Sequence, residues 1–236
     1  QFATGQGPKE SGRWSAVDFD PRTYVAAQPM STEKPSLAQA GDRVVILDAP
    51  YFDLASCRDV TGFVNWGAHD PGVEAYCRPV SLFFEMKQHF GPYPAPGDIY
   101  AFTWADAEAS RRTAENLRKA LAIRNEITCW LLSERLPDWD MAVTVVSELH
   151  SAIEPLWHGF DERHPLHQHP SALPAREGLF AIYRELDKMV GDGKRLFPDA
   201  ALALFWMHGM GRNDADVASM ILLPELLYRH AFGKPN

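Results

Sequence analysis

Residues 139–150 read Trp139-Asp-Met-Ala-Val-Thr-Val-Val-Ser147-Glu-Leu-His150, and the fold turns on this stretch. A short, unbroken apolar and β-branched run that stops at polar residues is the pattern of a strand buried on both faces. Upstream, Asp42-Arg-Val-Val-Ile-Leu-Asp48 has the same design and feeds an Ala-Pro turn. Downstream, Pro198-Asp-Ala-Ala-Leu-Ala-Leu-Phe-Trp206 repeats it, so three buried strands are expected. Between them the period changes. Over 104–134, Leu117, Leu121, Ile127 and Leu131 recur at helical spacing, with Arg and Glu expected on the other face. Over 175–190, Phe180, Tyr183, Leu186 and Met189 form a second stripe, and residues 214–232 read as a last helix that Pro224 starts or kinks. Apolar strands alternating with amphipathic helices predict an α/β fold, a mainly parallel sheet with helices on both faces.

The remaining chain is less regular. Residues 1–41 are rich in Gly, Ser, Pro and charge and read as surface loop with a short helix. Residues 49–105 carry Asp-Pro-Gly at 70–72 and Gly-Pro-Tyr-Pro-Ala-Pro-Gly at 91–97, with a short helix around 81–89. This stretch is read as a loop-rich insertion walling a site, within a single α/β domain spanning 1–236. A hydrophobic fraction of 46% is enough for a real core. The net charge of −8 disfavours sequence-independent attraction to nucleic acid, although a metal can still draw a small phosphate ester into a cleft. No apolar run approaches the roughly 18 residues of a membrane span, and residues 1–13, which lack an apolar h-region, do not read as a secretory signal. The three cysteines, with no Cys-x-x-Cys, favour thiols in a reducing, cytoplasmic setting, with a Cys57–Cys77 pair left open.

In open parallel sheets, ligands bind beyond the carboxyl ends of the strands. Here those ends read Asp48-Ala-Pro-Tyr, Ser147-Glu-Leu-His150 and Met207-His-Gly-Met210. Glu148, His150, Glu154, His158, His164, His167 and His169 crowd into 148–169, which places five of the nine histidines in one stretch. Imidazole and carboxylate are the usual ligands of zinc, manganese and iron(II). On a helix, His150 and Glu154 would share one face. His208 follows an apolar run and precedes Gly209. The competing readings are bland: a solvated His/Pro loop for 164–169, a buried structural histidine at 208, a cap at Asp48, and a turn motif at His69-Asp70. Signatures of P-loop enzymes, dinucleotide dehydrogenases, nucleophile-elbow hydrolases and zincins are absent from the sequence.

Ser147-Glu-Leu-His-Ser-Ala, Trp157-His158, Tyr183-Arg-Glu-Leu-Asp187 and Met207-His-Gly-Met-Gly211 occur in this order. Together they resemble the alkaline phosphatase superfamily, in its type I phosphodiesterase/nucleotide pyrophosphatase and sulfatase-like branch. The resemblance implies an alkaline-phosphatase-like core and a metal-dependent hydrolase of phosphate or sulfate esters. It also implies a divalent metal, zinc or manganese, held by His150, Glu154 and His208 with Glu148. Asp48, His69 and His158 are expected around the substrate. Met207 stands where the family has a metal-binding Asp, and no nucleophile is assigned. The core is therefore expected to be incomplete, and a missing strand would favour a homo-oligomer. The alternative is a relative without catalysis that acts as a binding or assembly module.

Overall fold

The chain is described in this computed structural model at residues 4–15, 17–27, 35, 43–100, 106–206, 209, 211 and 222–235. Its helices are α1 (Pro8–Ser11), α2 (Leu82–Phe90), α3 (Ala107–Trp130), α4 (Glu148–Leu156), α5 (Ala172–Leu196) and α6 (Leu223–Phe232). Strands β1 (Asp18–Asp20) and β2 (Val25–Ala27) form a small antiparallel hairpin. A second, four-stranded sheet contains β3 (Val44–Leu47), β4 (Val60–Val64), β5 (Tyr76–Arg78) and β6 (Met141–Thr144) in the order β5-β4-β3-β6. Both β4 and β6 run parallel to β3, with Leu47 opposite Phe63 and Thr144, whereas β5 is antiparallel to β4. The architecture is therefore α/β with a mixed, mostly parallel sheet.

Alternation along the strands assigns the two faces. Val45, Leu47 and Phe63 pack with Leu82 and Met86 of α2 and with Ile127 of α3. Val44, Ile46, Val60 and Val64 pack instead with Phe52, Leu54 and Cys57, from the 48–59 connection and its single 3₁₀ turn. Among the described residues, then, α-helices cover one face and an irregular segment covers the other. A third cluster joins Leu117 and Leu121 of α3, Ala152 and Leu156 of α4, and Leu179 and Ile182 of α5.

Local chemistry explains the helix limits. Asp106 caps α3 by accepting a hydrogen bond from the Ala109 amide. The helix runs on into a π turn over Leu131–Arg135, closed by Leu136 N–H donating to Leu131 C=O. At Gly178 a Cβ would lie 2.3 Å from Ala114 Cβ, so glycine lets α5 cross close against α3.

Three expectations need correction. Residues 49–105 are more than a loop-rich insertion: they supply β4 and β5, half of the four-stranded sheet. The crossover from β3 to β4 contains no α-helix, which is why its strands lack the usual flanking signal. The hairpin in 1–41 was also unforeseen. Finally, 199–206 forms no strand, and Leu202, Leu204, Phe205 and Trp206 are exposed. Apolar composition alone does not make a strand.

The chain divides into two compact units, Gln1–Pro198 and Asp199–Asn236. In the second, α6 begins with Pro224 in its first turn, as expected, and has no buried residue. Cys57 and Cys77 are buried thiols, and no disulfide pairs them. None of the described helices is long and apolar enough to cross a membrane.

Candidate metal centre

The parallel strands β3, β4 and β6 bring their carboxyl ends to one edge of the sheet. Asp48 follows β3, the 65–70 loop follows β4, and α4 starts four residues after β6. The 65–70 loop and α4 carry three side chains that converge: His69, His150 and Glu154. One ligand atom from each lies within 4.8 Å of the others. His150 Nε2 is 3.4 Å from Glu154 Oε1, and His69 Nε2 is 3.8 Å from Glu154 Oε2. The imidazole centroids are 4.1 Å apart. The i, i+4 spacing on α4 sets the His150–Glu154 pair, and the loop after β4 delivers the second imidazole.

The three differ in exposure. His69 is only 10% exposed at its side chain, while His150 and Glu154 face partly outward at 35% and 41%. The group therefore has a buried wall and an open side. Nε2 of His69 is buried and has no hydrogen-bond partner among the described residues. Such an atom costs free energy unless something satisfies it. Its other nitrogen faces Asp70, with Nδ1 3.5 Å from Oδ2. Tyr100 holds Asp70 in turn, its hydroxyl donating to Oδ1 at 3.0 Å and accepting from the Asp70 amide at 3.1 Å, while its ring lies 4.6 Å from that of His69. This is the carboxylate–imidazole arrangement that fixes a ligating tautomer. Burial, then the neighbouring His150, holds His69 below the ordinary histidine range, so at neutral pH it carries a lone pair rather than a charge. Burial raises the Tyr100 phenol. Two imidazoles and a carboxylate with an open side suit a zinc, manganese or iron(II) ion, whose bonds of about 2 Å need modest side-chain adjustment here.

A second polar cluster lies in the dry interior beside this group. Arg124 on α3 is 1% exposed, and its partners Asp48 and Glu148 are fully buried. Its Nε donates to Glu148 at 2.8 and 2.9 Å, and its Nη2 lies 2.9 Å from Asp48 Oδ2. Asp48 also accepts the Trp66 and Gly67 amides at 2.8 and 2.9 Å. The Tyr93 hydroxyl donates to Glu148 at 3.4 Å. Burial, then the Glu148 charge, pushes the Tyr93 phenol well above its usual range. The Arg124 guanidinium stays firmly protonated: burial opposes its charge, but Glu148 and Asp48 outweigh it. A Cβ on Gly67 would lie 2.3 Å from the Tyr93 ring, so this turn requires glycine.

The sequence-derived candidates thus separate. His150 and Glu154 come together as expected, joined by His69, which was assigned to substrate. Glu148, expected as a ligand, and Asp48, expected near substrate, are instead engaged by Arg124. His158 is buried with Nε2 2.9 Å from Ser171 Oγ, which His169 Nδ1 meets from the other side at 2.8 Å. It organises the start of α5 rather than joining the group. His208 lies outside the described residues. Asp70 enters the sequence reading only as the partner of His69 in a turn motif, and Arg124, Tyr93 and Tyr100 do not enter it as site residues. Arg124 was detectable in principle: it continues the stripe of Leu117 and Leu121 toward Ile127, so the reading that put every α3 arginine on the outer face is corrected.

Fold and site together define an α/β protein with a His₂Glu cluster at the carboxyl edge of a mostly parallel sheet. No protein-family model, no curated protein and no solved structure matches the chain.

Proposed function

We propose that the protein is a metal-dependent hydrolase of phosphate or sulfate esters, a diverged relative of the alkaline phosphatase superfamily, with one divalent ion on His69, His150 and Glu154. Zinc fits the ligand set best and manganese next. The observation that carries this reading is the buried, unsatisfied Nε2 of His69 directed toward Glu154, beside His150. Bound there, the ion would lower the pKa of a water and polarise the ester oxygen. The chain's own contribution is positional. Asp70 and Tyr100 orient His69, and the partly exposed His150 and Glu154 leave the outward side for a small anionic ester. A second reading, a metal-binding module without turnover, draws on Asp48 and Glu148. Both are spent on Arg124, so neither supplies a second ion's ligand.

The test is metal content per chain by mass spectrometry, followed by hydrolysis of p-nitrophenyl phosphate, bis-p-nitrophenyl phosphate and p-nitrophenyl sulfate. About one equivalent with metal-dependent turnover is expected. One equivalent without turnover of any ester favours the module. Less than about a tenth of an equivalent after metal addition and desalting overturns both.

A further inference from the structure

Each segment that brings a ligand to the His69–His150–Glu154 group is anchored two residues earlier. In the loop after β4, the Gly67 amide and the Trp66 amide are held by the Asp48 carboxylate, and His69 follows. In α4, the Glu148 side chain is held by Arg124, and His150 follows. The same guanidinium holds Asp48 and reaches Gly67 C=O at 3.5 Å, with its Cζ 5.2 Å from the Trp66 ring. Arg124 comes from α3, which supplies no ligand.

Resting on the metal-centre reading above, we propose that Arg124 is the positioning residue of that centre. By tying Asp48 and Glu148 to one rigid fork, it fixes the spacing between His69 and the His150–Glu154 pair.

The chemistry favours a role in geometry over one in stability. Two carboxylates share one cation in a site closed to water, and Arg124 Nη1 has no hydrogen-bond partner among the described residues. A buried ionic cluster of this kind is often no more stabilising than apolar side chains of equal volume. What it does supply is direction: a planar guanidinium sets both the distance and the angle of its acceptors, which a lysine ammonium cannot do. A small error at the anchors would be passed to the imidazoles, because only one residue separates Gly67 from His69 and Glu148 from His150.

The experiment is titration of the full chain with Co²⁺, followed by visible absorption, for wild type, Arg124→Lys, Glu148→Gln and the control Arg118→Lys. Arg118 lies on the same helix and pairs with Glu115 near the surface. Arg124→Lys and Glu148→Gln are expected to raise the Co²⁺ Kd about 10- to 100-fold and to alter the d–d bands, as loss of outer-sphere support does, while Arg118→Lys keeps both. Circular dichroism establishes folding. Should Arg124→Lys fail to fold, Glu148→Gln decides, since it keeps the side-chain shape while removing the charge and one of the two oxygens that accept from Arg124 Nε. Wild-type Kd and bands in the folded variants overturn the proposal even if thermal stability falls, because Arg124 would then be structural only. If wild type itself shows no saturable Co²⁺ binding, the metal-centre reading falls and this inference with it.

Discussion

His69 and His167 illustrate how little a residue type says without its surroundings. His69 is buried with one nitrogen oriented by Asp70 and the other unsatisfied toward Glu154. His167 instead has Nδ1 3.1 Å from His158 C=O, a local tie within its loop. Replacing His69 or His150 by alanine should therefore abolish stoichiometric zinc binding, with a rise in Kd of at least about tenfold read by competition with a chromogenic chelator. His167→Ala should bind as wild type. Retention of zinc by both His69→Ala and His150→Ala would show that the ion, if any, sits elsewhere. The histidine-rich sequence between 150 and 169 thus contains two arrangements of different kinds, a candidate ligand set and the tie around Ser171.

At the level of elements, the site depends on α3. This helix carries Arg124 on its buried stripe, packs Leu117 and Leu121 against α4 and α5, and meets α5 where Gly178 faces Ala114. A larger residue at 178 must push the helices apart, since the Ala114 side chain is already at its Cβ. Gly178→Val is expected to destabilise by about 1–3 kcal/mol in urea unfolding, the usual cost of overpacking. An unchanged midpoint would mean that the α3–α5 crossing is loose. Strand β4 has a comparable constraint. Gly62 adopts φ +114, and a Cβ there would lie 1.9 Å from Ile46 C=O, so this glycine permits the close approach of β4 to β3. The Pro/Gly-rich stretch 49–105 reads as loop because it mixes such special positions with short strands. The five residues of β4 and the three of β5 do not show a period, and β4 is identified only once β3 lies beside it.

For the molecule as a whole, pH and metal should both act on stability. Burial, then the charge of His164, depresses the pKa of His158, with smaller opposing effects from Pro155 and Ser171. The unfolded chain therefore takes up that proton first. Stability from this group is full above the ordinary histidine value of about 6.5 and is lost as pH falls toward the depressed folded value. Urea midpoints should decline below about pH 6.5, and His158→Gln should reduce the slope; an unchanged slope would exclude His158 as its source. A bound ion should raise the melting temperature, with about 2.7 kcal/mol expected at a hundredfold excess of free metal over Kd, and a chelator should reverse it. The amino-acid sequence alone determined the α/β class, the strands at 44–47 and 141–144 and the helices α2, α3 and α5, because each depends on local periodicity; it offered the His150–Glu154 pairing only as what a helix there would bring, and the structure supplied that helix, α4. Only the tertiary structure decided that β4 lies beside β3, that His69 joins the ligand group, that Glu148 and Asp48 belong to Arg124, and that 199–206 stays exposed. The first three are non-local pairings, and their energy exists only when segments far apart in the chain meet and exclude water together.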